Sequence, residues 1–287
     1  MCIRDRVKTA QKMYHEISPE TGEFIDFMID HELMDLQNKP GKASTGYMTS
    51  LPSLKAPFVF SCFNHTIFDM QVLTHELGHA FAGYMAMRSQ PISDYYSEST
   101  DIAEIHSMSM EQFAYPYAEW FFGDQADKFR FAHLQEALTF VPFGVAVDEF
   151  QHICYAHPEL TPKERTYQWH LLEEKYMPWR KYENDAFMER GGYWYHKLHI
   201  YLYPFYYINY TLTTMGAMEF KKKYAEDKAA AWQDYLNLCK TGGSRSYLET
   251  LRYANLSNPF EAGSVARACG YAEDILLKQI AEQAQNV

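Results

Sequence analysis

Apolar residues recur along most of this chain at three- and four-residue spacing, the period of a helix with one buried face, and stop signals separate the segments. The class predicted is mainly α. A first helix is expected around Val7 to Met13, leading through Pro19-Glu20-Thr21-Gly22 into a helical segment near Phe24 to Leu36. Asn38 to Ser53 reads as a loop rich in Gly, Pro, Ser and Lys. After it, Ala56-Pro57-Phe58-Val59-Phe60-Ser61-Cys62-Phe63 has the β-branched and aromatic content of a strand, the best one in the sequence. Thr66 with Asp69 three residues later makes a capping-box-like start, which predicts a helix from about Ile67 to Met87. A second helix follows near Asp101 to Phe121, and long helices cover about Gln125 to Ala156. His157-Pro158 breaks that run, and Thr161-Pro162-Lys163-Glu164 restarts it with a cap, a proline at the first helical position and a box glutamate. Gly191-Gly192 and Pro204 interrupt an aromatic stretch, Lys240-Thr241-Gly242-Gly243-Ser244 ends a helix near Cys239, and the tail from Ala262 is helical again. With no internal repeat and no low-complexity linker, residues 7–287 are expected to form one domain.

Composition narrows the partners. A chain of 287 residues with 47% apolar content has ample material for a buried core. The net charge is −11 with Lys and Arg scattered, so no basic stripe exists to track a phosphate backbone, which argues against nucleic acid. No apolar run approaches the roughly 18 residues of a membrane span, and the N-terminus lacks the apolar stretch of a secretory signal. The expectation is a soluble, cytoplasmic protein without a membrane partner. Cys2, Cys62, Cys154, Cys239 and Cys269 are odd in number, far apart and without paired spacing, as expected of buried thiols. Met1 to Arg6 fits no helix, strand or targeting pattern and resembles translated sequencing-adapter read-through, so these residues are set aside from the expected fold. On that reading the natural protein extends further upstream and this chain begins in the middle of a fold.

The chemistry is concentrated in Thr74-His75-Glu76-Leu77-Gly78-His79, an H-E-x-x-H pattern inside a predicted helix. Four residues is close to one turn, so both imidazoles leave the same face and reach one ion about 2 Å from each nitrogen. Glu76 lies roughly 100° further round and points past the metal toward the attacking water. A catalytic zinc site needs a third protein ligand and an open fourth position. The next helix offers Glu98, Asp101, Glu104 and His106. Glu104 shares a face with Ser107 and Glu111, whereas His106 points nearly opposite to Glu104. Geometry favours Glu104 and leaves Asp101 and His106 open. Whichever of Asp101 and Glu111 is not a ligand is placed to brace a ligand histidine through its free N–H, the alternative being a solvated helix face.

His75-Glu76-Leu77-Gly78-His79-Ala80, taken with Asp101-Ile102-Ala103-Glu104-Ile105-His106-Ser107-Met108-Ser109-Met110-Glu111, resembles the thimet oligopeptidase and oligoendopeptidase F family, in particular its bacterial oligoendopeptidase and Pz-peptidase branch. The resemblance extends to Lys39-Pro40-Gly41-Lys42, Ala56 to Phe60, Pro204-Phe205-Tyr206-Tyr207 and Gly242-Gly243-Ser244, and so to nearly the whole chain from about residue 24. It implies a third zinc ligand at Glu104, 25 residues after the second histidine. It also implies a mainly helical, two-lobed ellipsoid with a deep channel, one Zn2+ per chain, cytosolic residence and cleavage of internal bonds in short unstructured peptides. The matching segments correspond to the catalytic second half of such proteins.

Seven of the 23 tyrosines fall between Tyr193 and Tyr210. A buried aromatic helix accounts for such density, and so does a lid that stabilises charge on the scissile carbonyl. By resemblance, Tyr203, Tyr207 and Tyr210 match the family's substrate-clamping tyrosines, and His199 matches its histidine with a one-residue shift. Tyr206 is expected to be a packing residue. The outer edge of Phe58 to Phe63 is expected to receive the peptide as an added strand. The oligomeric state is left unassigned.

Overall fold

A computed structural model describes residues 2–43 and 45–285. In chain order its helices are α1 (Ile3–Ile17), α2 (Pro19–Asp30), α3 (Phe68–Ser89), α4 (Thr100–Phe113), α5 (Glu119–Phe122), α6 (Ala126–Ala156), α7 (Pro162–Tyr176), α8 (Ala186–Glu189), α9 (Leu198–Leu202), α10 (Ile208–Glu226), α11 (Lys228–Thr241), α12 (Tyr247–Tyr253) and α13 (Ser264–Gln285). Its strands are β1 (Met34–Gln37), β2 (Tyr47–Leu51) and β3 (Ala56–Phe63). The mainly α class holds.

The N-terminal residues differ from their sequence reading. The helix begins at Ile3, and Arg6 is buried in an ion pair with Asp69. Asp69 also accepts from the backbone N–H groups of Asn64 and His65 at 2.9 and 2.8 Å, which ties down the entry to α3. Asp69 therefore does the work of a box acid, but Thr66 is not the cap: its N–H and hydroxyl both donate to Asn64 Oδ1, and the helix starts at Phe68. By contrast, the Thr161 box forms as its sequence spells it, with Thr161 and Glu164 capping one another at the start of α7.

The expected helix of Phe24 to Leu36 ends early. Ser18 caps α2 with Pro19 at its first position, and the helix stops at Asp30. Glu32 adopts a left-handed conformation, and the bonds from Leu33 N–H to the Met28 carbonyl and from Glu32 N–H to the Ile29 carbonyl close the end as a Schellman motif. The chain then turns into β1, and the expected loop of Asn38 to Ser53 contains β2. Both pair with β3, β1 in parallel (Met34 opposite Val59) and β2 antiparallel (Tyr47 opposite Phe60, Leu51 opposite Ala56). The strand order β1-β3-β2 makes Phe58 to Phe63 the central strand, so both of its edges are taken, the expected free edge there is absent, and the outer strands are β1 and β2. Short strands without strict alternation carry little local signal, and only the partner strand makes them legible. Lys42 closes this arrangement. Its ammonium, almost fully buried, donates to the carbonyls of Asp35, Gln37 and Ser61 and pairs with the Asp35 carboxylate, so the loop before β2 is pinned across β1 and β3.

α3 is apolar on nearly all sides because it is packed by β3 on one flank, α4 on another and α11 on a third. α10 lies along α4 and carries α6 and α13 against its far side. Three clusters of buried side chains result, one around α1 to α4, the sheet and α11, one where α6 and α7 meet the aromatic stretch, and one between α6, α10 and α13. The expected helix of Asp101 to Phe121 is α4 followed by a turn at Tyr115–Tyr117 and the short α5, since Pro116 removes a helical donor.

Candidate metal centre

α3 and α4 cross closely at Gly78. A β-carbon there would lie 2.7 Å from Ser107 Cα and 3.0 Å from Met110 Cβ, so only glycine lets the helices approach this far. That approach brings Glu104 on α4 to the histidines on α3. Glu104 Oε2 is 3.1 Å from His75 Nε2 and 3.3 Å from His79 Nε2, and the three ligand atoms lie within 4.8 Å of one another. A tetrahedral ion with bonds of about 2 Å needs ligand atoms roughly 3.3 Å apart, so this donor set of two imidazoles and a carboxylate fits zinc in both spacing and type. The fit rests on Gly78. Gly78→Ala is expected to cost about 1–3 kcal/mol by forcing the helices apart, read as a lower urea midpoint; an unchanged midpoint would show that the crossing has slack.

The other acids take different places. Asp101 accepts from Ser99 at the start of α4, and His106 is 1% exposed and faces Glu98 at 3.4 Å, away from the other two histidines' ligand atoms. Glu111 is buried, and its Oε1 accepts from His75 Nδ1 at 2.6 Å. Of the two acids considered as braces, Glu111 holds this position, leaving His75 Nε2 free to bind an ion. Ser107 donates to Glu104 Oε2 at 3.1 Å.

Charge follows the geometry. Burial opposes ionisation of Glu104 and Glu111, but hydrogen bonds from the histidines outweigh it, holding Glu104 well below the carboxylate range and Glu111 at about 2. Burial likewise disfavours a charged His75, and the carboxylates of Glu104 and Glu111 override it, raising its pKa well above the ordinary value. Glu76 differs from both acids. Burial pushes its pKa up, the two histidines only partly offset this, and its Oε2 is buried without a hydrogen-bond partner. Gly46, just before β2, sits over it; a β-carbon at Gly46 would be 2.9 Å from Glu76 Oε1. No sequence pattern marked Gly46.

Residues 6–269 match Peptidase family M3. The chain belongs to that family. Among relatives of this M3 chain, the "Oligoendopeptidase F homolog" of Borreliella burgdorferi is 25% identical over 229 residues, covering 78% of this chain and 38% of the relative. "Oligopeptidase PepF" of Bacillus subtilis is 22% identical over 247 residues, covering 82% of this chain and 36% of the relative. The chain thus spans well under half the length of these curated relatives. A solved structure described as "PZ peptidase A with inhibitor 2" superposes with a TM-score of 0.89 at 48% identity, covering 97% of this chain and 49% of that one.

The aromatic stretch of this M3 chain is gathered around His199, whose ring centroid lies 5.1–6.1 Å from those of Tyr203, Tyr206, Tyr207 and Tyr210. The four tyrosines are not equivalent. Tyr203 is 57% exposed, whereas Tyr207 is 5% exposed and packs its ring against Phe140 and Phe143. Packing thus falls to Tyr207, while Tyr206, expected to be the packing residue, is half-buried. Tyr210 lies in the first turn of α10, its ring beside Phe140. Its phenol is raised far above its usual range, first by burial and then by the Glu104 charge. Asn209 donates to Thr100 Oγ1 at 3.0 Å and ties this end of α10 to the start of α4. Burial and the neighbouring Lys197 lower the pKa of His199, which favours its neutral form.

Proposed function

We propose that this chain carries the catalytic centre of a zinc-dependent endopeptidase that cuts short peptides. The observation that carries the reading is the convergence of His75, His79 and Glu104 beside a buried Glu76 carboxylate oxygen that has no partner. His75, His79 and Glu104 would hold the ion. Zinc bound there would supply Lewis-acid chemistry, acidifying water and polarising a carbonyl. Glu76 takes the proton of the attacking water and returns it to the leaving amine; burial raises its pKa above the ordinary carboxylate value, which makes it a stronger base than an exposed glutamate. The free edge of β2 next to Gly46 leads to Glu76, so an extended peptide added there by backbone hydrogen bonds reaches the base with little demand on its side chains. His199, Tyr203, Tyr207 and Tyr210 would form the lid, and the influence of the Glu104 charge on the Tyr210 phenol supports Tyr210 as the donor to the developing oxyanion. The names of the relatives support an oligopeptide substrate. No helix of the described residues is long and apolar enough to cross a membrane. All five cysteines are free thiols, which fits the reducing cytoplasm as the setting, but only Cys239 and Cys269 are buried as expected; Cys62 and Cys154 are half-buried and Cys2 is exposed.

Incubating the chain with a mixed peptide library, with and without chelator, tests the reading by mass spectrometry. Chelator-sensitive internal cuts are expected; stepwise trimming would make it an exopeptidase, and zinc uptake without cleavage a peptide-binding protein. Tyr210→Phe should lower kcat about 10²-fold with metal content intact, the loss of one oxyanion donor. A change confined to KM would give Tyr210 a binding role alone.

A further inference from the structure

Behind the metal centre, the brace on His75 does not end at Glu111. The second carboxylate oxygen of Glu111 is bonded by Nε2 of His133 on α6, and His133 Nδ1 meets the hydroxyl of Tyr115, in the turn after α4. We propose that His133 and Tyr115 are positioning residues of the metal centre, holding the Glu111 carboxylate in the plane and proton arrangement that present His75 Nε2 to the ion. This rests on the reading that His75, His79 and Glu104 hold a metal.

The donor count supports it. An ionised carboxylate only accepts, so Glu111 requires a proton on both ring nitrogens facing it, Nδ1 of His75 and Nε2 of His133. His133 then has one lone pair left, on Nδ1, and Tyr115 donates to it. The Tyr115 phenol keeps its proton, since burial first and the Glu111 charge second raise its pKa far beyond the usual range. The bonds therefore hold Glu111 at both oxygens and engage His75 through Nδ1, so Nε2 is the ring nitrogen turned toward His79 and Glu104.

Each member is also held from outside. Arg130 donates from Nε and Nη2 to the Tyr115 carbonyl at 3.1 and 3.0 Å and pairs with Glu119 and Asp127. The Phe129 ring stacks on His133 at 5.6 Å and 9° between planes. His133 and Glu111 are both 7% exposed, so water gives neither much help if the other is removed. A carboxylate anchored at one oxygen alone swings about its χ angles, and the imidazole it braces swings with it. Supporting partners of this kind change metal affinity without touching the metal.

The test is a zinc competition titration against a chromogenic chelator on the full chain and on His133→Leu, His133→Gln and Tyr115→Phe, alongside melting of the metal-free proteins. His133→Leu keeps the bulk and removes the donor; it is expected to weaken zinc binding about 10–100-fold. His133→Gln places an amide nitrogen near the position of Nε2 and should recover most of that loss, and Tyr115→Phe should lose less than His133→Leu. Equal affinity in His133→Leu and His133→Gln, whether both unchanged or both weakened with the melting temperature, would reduce His133 to a packing residue and overturn the proposal. A parent chain that takes up no zinc would refute the proposed metal centre itself, and this inference with it. Zinc uptake by the parent with no loss in His133→Leu would refute this inference alone.

Discussion

Glu76→Gln should retain the chain's zinc and lose peptide turnover by about 10²–10⁴-fold, the range that a positioned general base contributes. The substitution keeps the shape of the side chain and leaves His75, His79 and Glu104 untouched. It removes a carboxylate whose buried Oε2 has no hydrogen-bond partner. Glutamine cannot take a proton from water, so the loss should appear in kcat and kcat/KM together, the signature of an interaction made in the transition state. Metal content and single-turnover kinetics measured on the same preparation decide the matter. Near-normal turnover by a zinc-loaded Glu76→Gln protein would remove Glu76 from the mechanism.

Glu104→Ala should abolish tight zinc binding, with a loss larger than the roughly 10–100-fold that removing a supporting partner costs. Two imidazoles on one helix are an incomplete set, and Glu104 Oε2 is the atom that faces both. Asp101→Ala should bind zinc like the parent, because Asp101 is engaged with Ser99 at the start of α4. His106→Ala should instead lower the melting temperature, since it strips from Glu98 the buried ring 3.4 Å away, and the Glu98 carboxyl is held low, against the pull of its own burial, chiefly by its attraction to His106. Metal titration of the three variants separates these outcomes. A greater loss of zinc with His106→Ala than with Glu104→Ala would move the third ligand.

Several features were legible because their cause is local. Helical periodicity placed α3, α6 and α7 to within a few residues, and the Thr161 box formed as written because every group in it lies within one turn. Spacing of four put His75 and His79 on one face, and spacing of seven put Glu111 on the face of Glu104. What failed was also instructive. β1 hid at the end of a helical pattern and β2 in a loop, since strands of four and five residues owe their existence to β3 rather than to their own composition. The Thr66 cap was misread because Asn64 competes for its donors. Ile3 to Arg6 looked patternless because Arg6 is buried for the sake of Asp69, 63 residues away.

The sequence by itself determined the helical class, the two candidate metal-binding imidazoles, the candidate base beside them and a short choice of third ligands, all properties of residues within a turn or two of one another. Only the tertiary structure decided that α3 and α4 cross tightly enough at Gly78 for Glu104 to face both histidines, and that β3 is central, leaving β1 and β2 as the outer strands. It also decided that Glu111 is shared between His75 and His133. The physical reason is range. Helix periodicity and caps are set by neighbours along the chain, whereas a ligand triangle, a strand's partner and a relay through α6 depend on distances between segments that no local pattern encodes.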